Sequence, residues 1–443
     1  MKYYQSTSLR RALRSKALWR AMALLVGCEL LATSAWLAFS FGRSPGYFEF
    51  ALAALAAPLA AIVGFLCGGR AEQRERWVTR LASIYESQRE SRRSYYEPLR
   101  VGGDPALSDR LRALKPSRPF ATLTSPDQMS AWREAVRREI TSGLYEEAFV
   151  PDGNTPRIRV LREVDVDGVS RAFVTYEASD GTTIPAYLFR PRSDRQMAAV
   201  FVVPGNGRGI VETAGLVRSY QHGAALALAR AGFVTLTPEL RGFGYLGKLI
   251  GTDPARVARN ALLIGSSYYA VVLHDLWRGL TALLTDQAVD PTRVAVSGCS
   301  LGGDLAITLG ALDTRVSAVV AQGLARWHGV RGQAPTPEED GSKWRGDATS
   351  IVPEAARLTH YEDRFLLLAP RPFAVINTTW DVGNQREEES WLLRLLRSAY
   401  HFEGAEDCFQ FCVMRGGHEY LVNPAVEFLQ RHLCEARPRA DAG

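Results

Sequence analysis

Two long apolar runs near the start of the chain interrupt its otherwise mixed pattern of apolar and polar positions. Residues 21–41 contain one charge, Glu29, residues 50–69 contain none, and each run is about as long as a bilayer requires. The connection between them is short and contains Gly and Pro, which favours a helical hairpin. Because basic residues flank both outer ends, the positive-inside rule predicts a two-pass membrane segment with the rest of the chain in the cytoplasm.

Two questions about this hairpin stay open at the level of sequence. A cleaved signal peptide is the competing interpretation of residues 21–41, and it places the rest of the chain on the opposite side of the membrane. Glu29 costs a few kcal/mol near the middle of a bilayer, so it either pairs with a partner helix or is tolerated in an apolar segment.

The pattern becomes amphipathic and then irregular after the second run. Residues 71–95 place aromatic and aliphatic side chains at helical spacing among Arg, Glu and Gln, which predicts an amphipathic helix leaving the membrane. Residues 101–126 are rich in Gly and Pro and indicate a linker. The predicted domains are therefore a basic N-terminus with a membrane hairpin (1–69), an amphipathic helix and linker (70–125) and a globular domain (126–443).

The globular domain begins with a helix at Ser125-Pro126-Asp127 and continues with β-type runs joined by Asp-Gly turns, at residues 157–164, 171–177 and 183–189. After residue 191 short, continuously apolar strands alternate with helices. The predicted strands are 198–203, 233–237, 294–296, 316–321, 372–377 and 408–414, and the helices are 220–231, 261–285, 301–312, 384–398 and 421–433. This alternation predicts an α/β fold with a mostly parallel sheet and helices on both faces.

Residues 325–365 interrupt the alternation with two tryptophans, several charges and short helical fragments. The insertion is either a lid over a substrate pocket or an excursion over the solvated surface.

Charge and cysteine content exclude some classes of function. The net charge is +6, but six basic residues and no acid lie in residues 1–20, and 47 residues of each sign remain outside this segment. A neutral remainder gives no reason to expect nucleic acid as a partner. The six cysteines lack metal-type spacing, and Cys408 and Cys412 are expected about 13 Å apart on one strand, too far for a disulfide. A reducing compartment fits this pattern.

The stretch Arg293–Asp304 carries the strongest chemical signal. It predicts a strand, a sharp turn at Gly298-Cys299-Ser300-Leu301-Gly302, and a helix. A serine on such a turn projects from the sheet, while the two glycines allow strand and helix to approach closely. Ser300 is therefore the candidate nucleophile; the alternative is a Gly/Ser turn that only caps the helix.

A serine nucleophile needs an imidazole base and a carboxylate that orients it. Of the seven histidines, His418 alone directly follows a predicted strand, in a turn with Gly416 and Gly417, and it is the candidate base. Asp381 follows the preceding strand and is the candidate carboxylate.

Other carboxylates are weaker candidates for that role. Glu388 lies a helical turn into the next helix and Asp363 lies in the insertion. Asp304 is on the helix behind the elbow, so its direction excludes it and predicts a packing or capping role.

The oxyanion of acyl transfer needs two donors, one of which is the amide of Leu301, directly after the nucleophile. The second is expected in the turn Pro204-Gly205-Asn206-Gly207 after the first parallel strand, from the amide of Asn206 or, as an alternative, of Gly207. A phosphate cradle is a competing use of this turn, but the sequence lacks the G-x-G-x-x-G spacing and the Lys-Ser/Thr pair.

The order Ser300, Asp381, His418 together with the oxyanion turn resembles the α/β-hydrolase superfamily over residues 126–435. Asp290-Pro291-Thr292-Arg293 before the elbow strand and Leu368-Ala369-Pro370-Arg371-Pro372 before the acid strand resemble its dienelactone hydrolase and acetyl xylan esterase branch.

Two residues depart from the pattern of this branch. Pro204 stands where a histidine is frequent, and Cys299 occupies a variable position although dienelactone hydrolases carry cysteine as the nucleophile. We interpret Cys299 as a packing residue whose thiol points away from the crevice.

The resemblance implies hydrolysis of a small-molecule carboxylic ester through an acyl-serine intermediate, with no metal or organic cofactor. Together with the predicted membrane hairpin it makes a membrane-anchored serine esterase the leading hypothesis. A prolyl-oligopeptidase-type peptidase shares the triad, but residues 70–125 are too few for its propeller domain. A catalytically silent binding module is the alternative from a different class, and the presence of all three triad residues argues against it. The sequence leaves the acyl group, the alcohol and the oligomeric state open.

Overall fold

The computed structural model of the protein describes residues 123, 125–144, 155–248, 251–324, 363–381 and 386–434. The chain divides into two units, Met1–Val101 and Gly102–Gly443, and all described residues belong to the second. The predicted membrane hairpin, the amphipathic helix and most of the linker and of the insertion 325–365 lie outside the described residues. Within the stretches that are described, no helix combines the length and apolar character needed to span a bilayer.

Nine strands form one sheet in the described part of the chain, in the order β1-β2-β3-β5-β4-β6-β7-β8-β9. The strands are β1 Arg159–Val166, β2 Val169–Glu177, β3 Thr183–Pro191, β4 Met197–Val203, β5 Val234–Pro238, β6 Val289–Cys299, β7 Ala318–Gln322, β8 Phe373–Thr378 and β9 Phe409–Met414. The helices are α1 Pro126–Leu144, α2 Ile210–Thr213, α3 Ala224–Arg230, α4 Gly244–Lys248, α5 Pro254–Leu263, α6 Tyr268–Leu284, α7 Leu301–Leu312, α8 Asp363–Leu366, α9 Arg386–Phe402 and α10 Val422–Leu429.

The pairing of neighbouring strands changes once across the sheet, from antiparallel to parallel. β1, β2 and β3 are antiparallel neighbours, and β3 is also antiparallel to β5. From β5 onward every neighbouring pair is parallel. Asp167 and Gly168, both with positive φ, close the first hairpin, as the Asp-Gly signal predicts.

The parallel strands β4, β5, β7 and β8 and the second half of β6 are buried on both faces and separate two apolar layers. Helices α1, α6 and α7 contribute buried side chains to one cluster, and α3 and α10 contribute to the other. The α/β fold with helices on both faces is therefore confirmed, and the continuous apolar runs of the parallel strands follow from this double burial.

Two helix predictions were wrong in ways that affect the site. The segment predicted as one helix, 261–285, is divided between α5 and α6, because Gly265 adopts a φ of 81° and the Ser267 side chain accepts a hydrogen bond from the Ala270 amide at the start of α6. The helix predicted from Tyr220 begins only at Ala224, so residues 219–223 form a turn.

Candidate active site

The residues proposed from the sequence lie at one edge of the sheet. β4, β6, β7, β8 and β9 are consecutive parallel neighbours, so the turns that follow them meet at their carboxyl ends. Such an edge is the usual place for a ligand crevice in a parallel sheet. The turns after these strands carry Asn206, Ser300, Gly323, Asp381 and His418.

The elbow at Ser300 is tightly folded. Ser300 adopts φ 62° and ψ −129°, a conformation that is rare for a residue with a side chain. A Cβ on Gly298 would lie 2.3 Å from the Gly302 carbonyl oxygen, and a Cβ on Gly302 would lie 2.2 Å from that of Val203. Both glycines are therefore required by close backbone approach, and the turn presents the Ser300 side chain out of the sheet.

Gln322, at the end of β7, links this elbow to the loop that carries the base. Its carbonyl oxygen accepts a hydrogen bond from the Ser300 amide at 2.9 Å. Its buried side chain donates to the Leu421 carbonyl oxygen at 3.0 Å and accepts from the Leu421 amide at 2.8 Å. One residue thus holds the backbones of two turns that are far apart in sequence.

His418 and Asp381 form the second part of the site. Nδ1 of His418 lies 3.0 and 2.9 Å from the two carboxylate oxygens of Asp381. The Asp381 side chain is 3% exposed and that of His418 is 37% exposed, so a buried carboxylate orients a ring that solvent can reach. Because Nδ1 is engaged by Asp381, Nε2 is the ring nitrogen available to accept a proton.

Ser300 and His418 form no direct hydrogen bond within the described part of the chain. Catalytic hydrogen bonds of this kind are commonly long until a substrate is bound. A Cβ on Gly323 would lie 2.8 Å from Cys299 Sγ and 3.3 Å from His418 Cε1. Gly323 therefore lies between the elbow and the imidazole, and its lack of a side chain permits this approach.

The two predicted oxyanion donors lie on turns at this edge of the sheet. Leu301 is the first residue of α7, and the amides of the first helical turn have no acceptor within their own helix. Asn206 is exposed in the turn after β4, next to β6 in the sheet. Both residues therefore lie on turns at the carboxyl edge of the sheet, and their role as oxyanion donors stays a prediction.

Three residues near the site were not predicted. The Tyr220 hydroxyl donates a hydrogen bond to the Asn206 carbonyl oxygen at 2.7 Å, and its ring stacks on His418 at a centroid distance of 5.2 Å. His222 Nε2 and Glu419 Oε2 are 2.8 Å apart, directly beside these residues. The Asn-Gly-Arg-Gly turn contains no local signal that Asn206 binds a side chain fourteen positions later. The prediction that Tyr220 lies in a helix also gave no reason to place it at the site.

The side chains that we considered and set aside have other partners. The Asp304 carboxylate receives a hydrogen bond from the Tyr269 hydroxyl and pairs with Arg364 at 3.1 Å, in the packing role expected for it. Asp363 is buried at the start of α8. Cys299 is fully buried in an apolar cluster, and this burial raises the pKa of its thiol far above the usual range. The side chain of Glu388 is outside the described part.

In the described ranges, no three His, Cys, Asp or Glu side chains are grouped so that they could hold a metal ion.

The mostly parallel sheet, the strained serine elbow and the His-Asp pair after two later strands define the α/β-hydrolase class. The chain belongs to the Abhydrolase family, whose model matches residues 100–417. The protein is accordingly a hydrolase, and the resemblance seen in the sequence is confirmed at this level.

Similarity to other proteins covers much of the same region of the chain. Residues of this chain are 25% identical over 209 positions to YtaP of Bacillus subtilis (strain 168), a provisionally named hydrolase, covering 46% of this chain and 67% of that protein. A provisionally assigned acetyl xylan esterase from Bacteroides fragilis NCTC 9343 superimposes with a TM-score of 0.59 at 19% identity, covering 70% of this chain and 82% of the other. A glucuronoyl esterase from Solibacter usitatus gives a TM-score of 0.51 at 16% identity, covering 70% and 94%.

Proposed function

We propose that the protein is a serine esterase that hydrolyses carboxylic esters through an acyl-serine intermediate, with Ser300 as nucleophile, His418 as general acid and base, and Asp381 as the orienting carboxylate. The observation that carries the proposal is the strained elbow at Ser300 beside the His418–Asp381 pair. Strain at a residue with a side chain persists where the surrounding structure enforces it, and such residues cluster at active sites.

The proposed reaction begins when Nε2 of His418 accepts the proton of Ser300 Oγ, which attacks the ester carbonyl carbon. Asp381 holds the Nδ1–H tautomer and stabilises the imidazolium that forms. The negative charge on the carbonyl oxygen is stabilised by the amides of Leu301 and Asn206, and removing a single donor of this type costs about 3–4 kcal/mol in measured cases.

Collapse of this tetrahedral species releases the alcohol, which takes the proton from His418. Water then attacks the acyl-serine with His418 as base, and the acid leaves as Ser300 recovers its proton. Each step uses only the side chains and backbone amides named above.

The names of similar solved structures support ester hydrolysis over amide hydrolysis as the reaction of this protein. Both solved structures with TM-scores above 0.5 described above carry esterase names. The same fold supports many reactions, so the proposal rests on the site, and the names only narrow the reaction.

Labelling with a fluorophosphonate tests the nucleophile. We expect the purified protein to be labelled and to turn over short-chain aryl esters, and Ser300→Ala to lose labelling and at least about 1,000-fold of kcat, as serine removal does in other triads.

Absence of labelling in the unmodified protein, or labelling that survives Ser300→Ala, contradicts the assignment. Peptide amides assayed in parallel distinguish a peptidase, and ester turnover by Ser300→Ala indicates Cys299 or a contaminant.

We also propose that residues 21–41 and 50–69 anchor the enzyme in a membrane with the hydrolase domain in the cytoplasm. The length of the two apolar runs and the basic residues at their outer flanks support this arrangement. A reporter that functions only in the cytoplasm should be active when fused after Gly443, and the fusion protein should sediment with membranes. Activity of a reporter that functions only outside the cytoplasm contradicts the orientation, and recovery of the full chain in the supernatant contradicts the anchor.

A further inference from the structure

We propose that Tyr220 is a positioning residue of the hydrolytic site, which holds the oxyanion turn with its hydroxyl and the general base with its ring. The inference rests on the proposed function, because it assigns a role in the same reaction. Tyr220 lies on the turn before α3, on none of the turns that carry Ser300, Asp381 and His418.

The hydroxyl acts on the oxyanion turn. It donates to the Asn206 carbonyl oxygen at 2.7 Å and accepts from Gln221 Nε2 at 3.3 Å. This carbonyl belongs to the planar peptide that links Asn206 to Gly207, so holding it restricts rotation at Asn206 and with it the turn that presents the Asn206 amide. Because Gly205 and Gly207 flank Asn206 and restrict the backbone little, the turn needs such an external contact to keep one conformation.

Two further observations place this hydroxyl beside the elbow. A Cβ on Gly205 would lie 2.3 Å from the hydroxyl oxygen and 2.5 Å from the Cys299 carbonyl oxygen, so the phenol reaches the elbow only because position 205 is glycine. Burial raises the pKa of the Tyr220 phenol far above its usual range, and the Ser300 side chain opposes this rise. The phenol therefore stays a hydrogen-bond donor at neutral pH.

The ring acts on the base. It stacks on the His418 imidazole with a centroid distance of 5.2 Å and an interplanar angle of 29°. Asp381 holds one edge of the imidazole, and the phenol covers one of its faces. An aromatic face attracts a cation, so the stack also favours the imidazolium that forms when His418 accepts the serine proton.

The turn that carries Tyr220 is attached to the His418 loop by two other contacts. The Tyr220 carbonyl oxygen accepts a hydrogen bond from the Tyr420 amide at 2.8 Å. Beyond it, His222 pairs with Glu419, whose other carboxylate oxygen accepts from the Gly417 amide at 3.0 Å. These contacts hold the turn of Tyr220 and the loop of His418 together, and this keeps the two rings stacked.

Two substitutions separate the roles of hydroxyl and ring. Tyr220→Phe keeps the stack and removes the hydrogen bond to Asn206. We expect kcat for an aryl ester to fall roughly 10-fold, less than the loss for a direct oxyanion donor, with KM changed less than about 3-fold. The acidic limb of the pH profile of kcat/KM should stay in place, since the imidazole keeps its neighbour.

Tyr220→Leu removes the ring as well. We expect a larger loss of kcat and a shift of the acidic limb to lower pH, because the imidazolium loses the aromatic face that favours it.

Tyr400→Phe is the matched control. Tyr400 is buried on α9, remote from the crevice, and its hydroxyl also donates to one backbone carbonyl oxygen, that of Arg371, at 2.6 Å. This variant should lose stability while its kcat per folded molecule stays at the wild-type value, with folding monitored by circular dichroism for every variant.

Wild-type kcat in a folded Tyr220→Phe overturns the proposal, as does an equal loss of kcat in Tyr400→Phe. An unmoved acidic limb in Tyr220→Leu overturns the role of the ring. These outcomes differ from failure of the proposed function, which shows as absence of fluorophosphonate labelling in the wild-type protein.

Discussion

At the scale of single residues, the site depends on positions where a side chain is missing. Gly298 and Gly302 let the elbow strand and α7 approach within backbone contact, and Gly323 lets the imidazole of His418 lie beside the elbow. The sequence indicates the first two through their spacing around Ser300. It does not indicate Gly323, because the groups that Gly323 accommodates come from other strands.

Gly323→Ala tests this positioning. The new methyl group would lie 2.8 Å from Cys299 Sγ and 3.3 Å from His418 Cε1, so the Cys299 side chain must shift and the imidazole must give by a few tenths of an ångström. Displacements near 1 Å can cost about 100-fold in rate, and we expect kcat to fall at least roughly 10-fold. Steady-state kinetics with an aryl ester measures the effect.

Gly404→Ala is the control for backbone strain. Gly404 has a φ of 58°, against 59° for Gly323, but nothing lies within 4 Å of its hypothetical Cβ. In both variants the left-handed conformation therefore lowers the free energy of unfolding by about 1–2 kcal/mol. A similar loss of activity in the two variants would show that strain, and not the contact with His418, is responsible.

The triad residues could be selected from the sequence because each follows a strand, and Asp381 and His418 are indeed in contact. Tyr220 could not be selected in this way. It contacts His418, nearly two hundred positions later, through ring stacking, which leaves no periodic pattern in the sequence. Tyr220 precedes an Ala-rich run, so the sequence suggests that the helix starts at Tyr220. In the structure the helix begins four residues later.

At the scale of elements, Glu239 joins two helix N-termini behind the oxyanion turn. Its carboxylate oxygens accept from the amide of Ile210 in α2 at 3.3 Å and from that of Tyr245 in α4 at 3.0 Å. A Cβ on Gly209 or Gly244 would collide with the same carboxylate. The Glu-Leu-Arg-Gly-Phe-Gly turn after β5 therefore supports the turn after β4, which holds Asn206.

This arrangement makes stability depend on pH. Burial is the main cause that raises the pKa of Glu239 to about 7 from the usual 4.5, although the amide hydrogen bonds oppose it. The folded state binds the proton more tightly than the unfolded state, so the stabilisation is fully present below pH 4.5 and is lost as the pH rises through 7. The shift corresponds to about 3 kcal/mol.

Urea unfolding of the wild type and of Glu239→Gln at pH 4.5 to 8 measures this contribution. The free-energy difference, wild type minus variant, should fall by about 3 kcal/mol across that range, since glutamine does not titrate. A difference that stays constant with pH would contradict the role of Glu239.

The helix that carries Leu301 is held at its other end as well. Arg371 donates to the carbonyl oxygens of Gly310, Asp313 and Val316 at 2.6, 3.1 and 2.8 Å, at and just beyond the C-terminus of α7. A cation at a helix C-terminus is favoured by the helix dipole. The stretch Leu368–Pro372, which resembles an esterase motif in sequence, thus has a structural function as the cap of the nucleophile helix.

At the scale of the whole molecule, the sheet was predictable because its two parts have different periods. Asp-Gly hairpins and alternating strands precede residue 191, and continuous apolar strands alternating with helices follow it. The break between α5 and α6 was not predictable from periodicity, because Ala, Leu and Ile continue up to Gly265 and helix-forming residues resume directly after Ser267. The predicted hairpin, linker and insertion remain expectations from sequence.

Gln322 gives the site a mechanical property beyond its static geometry. Its backbone holds the amide of Ser300, and its side chain grips both backbone groups of Leu421, three residues after His418. We therefore expect a displacement of the loop after β9 to be accompanied by a displacement of the elbow, so that nucleophile and base keep their separation when either turn moves.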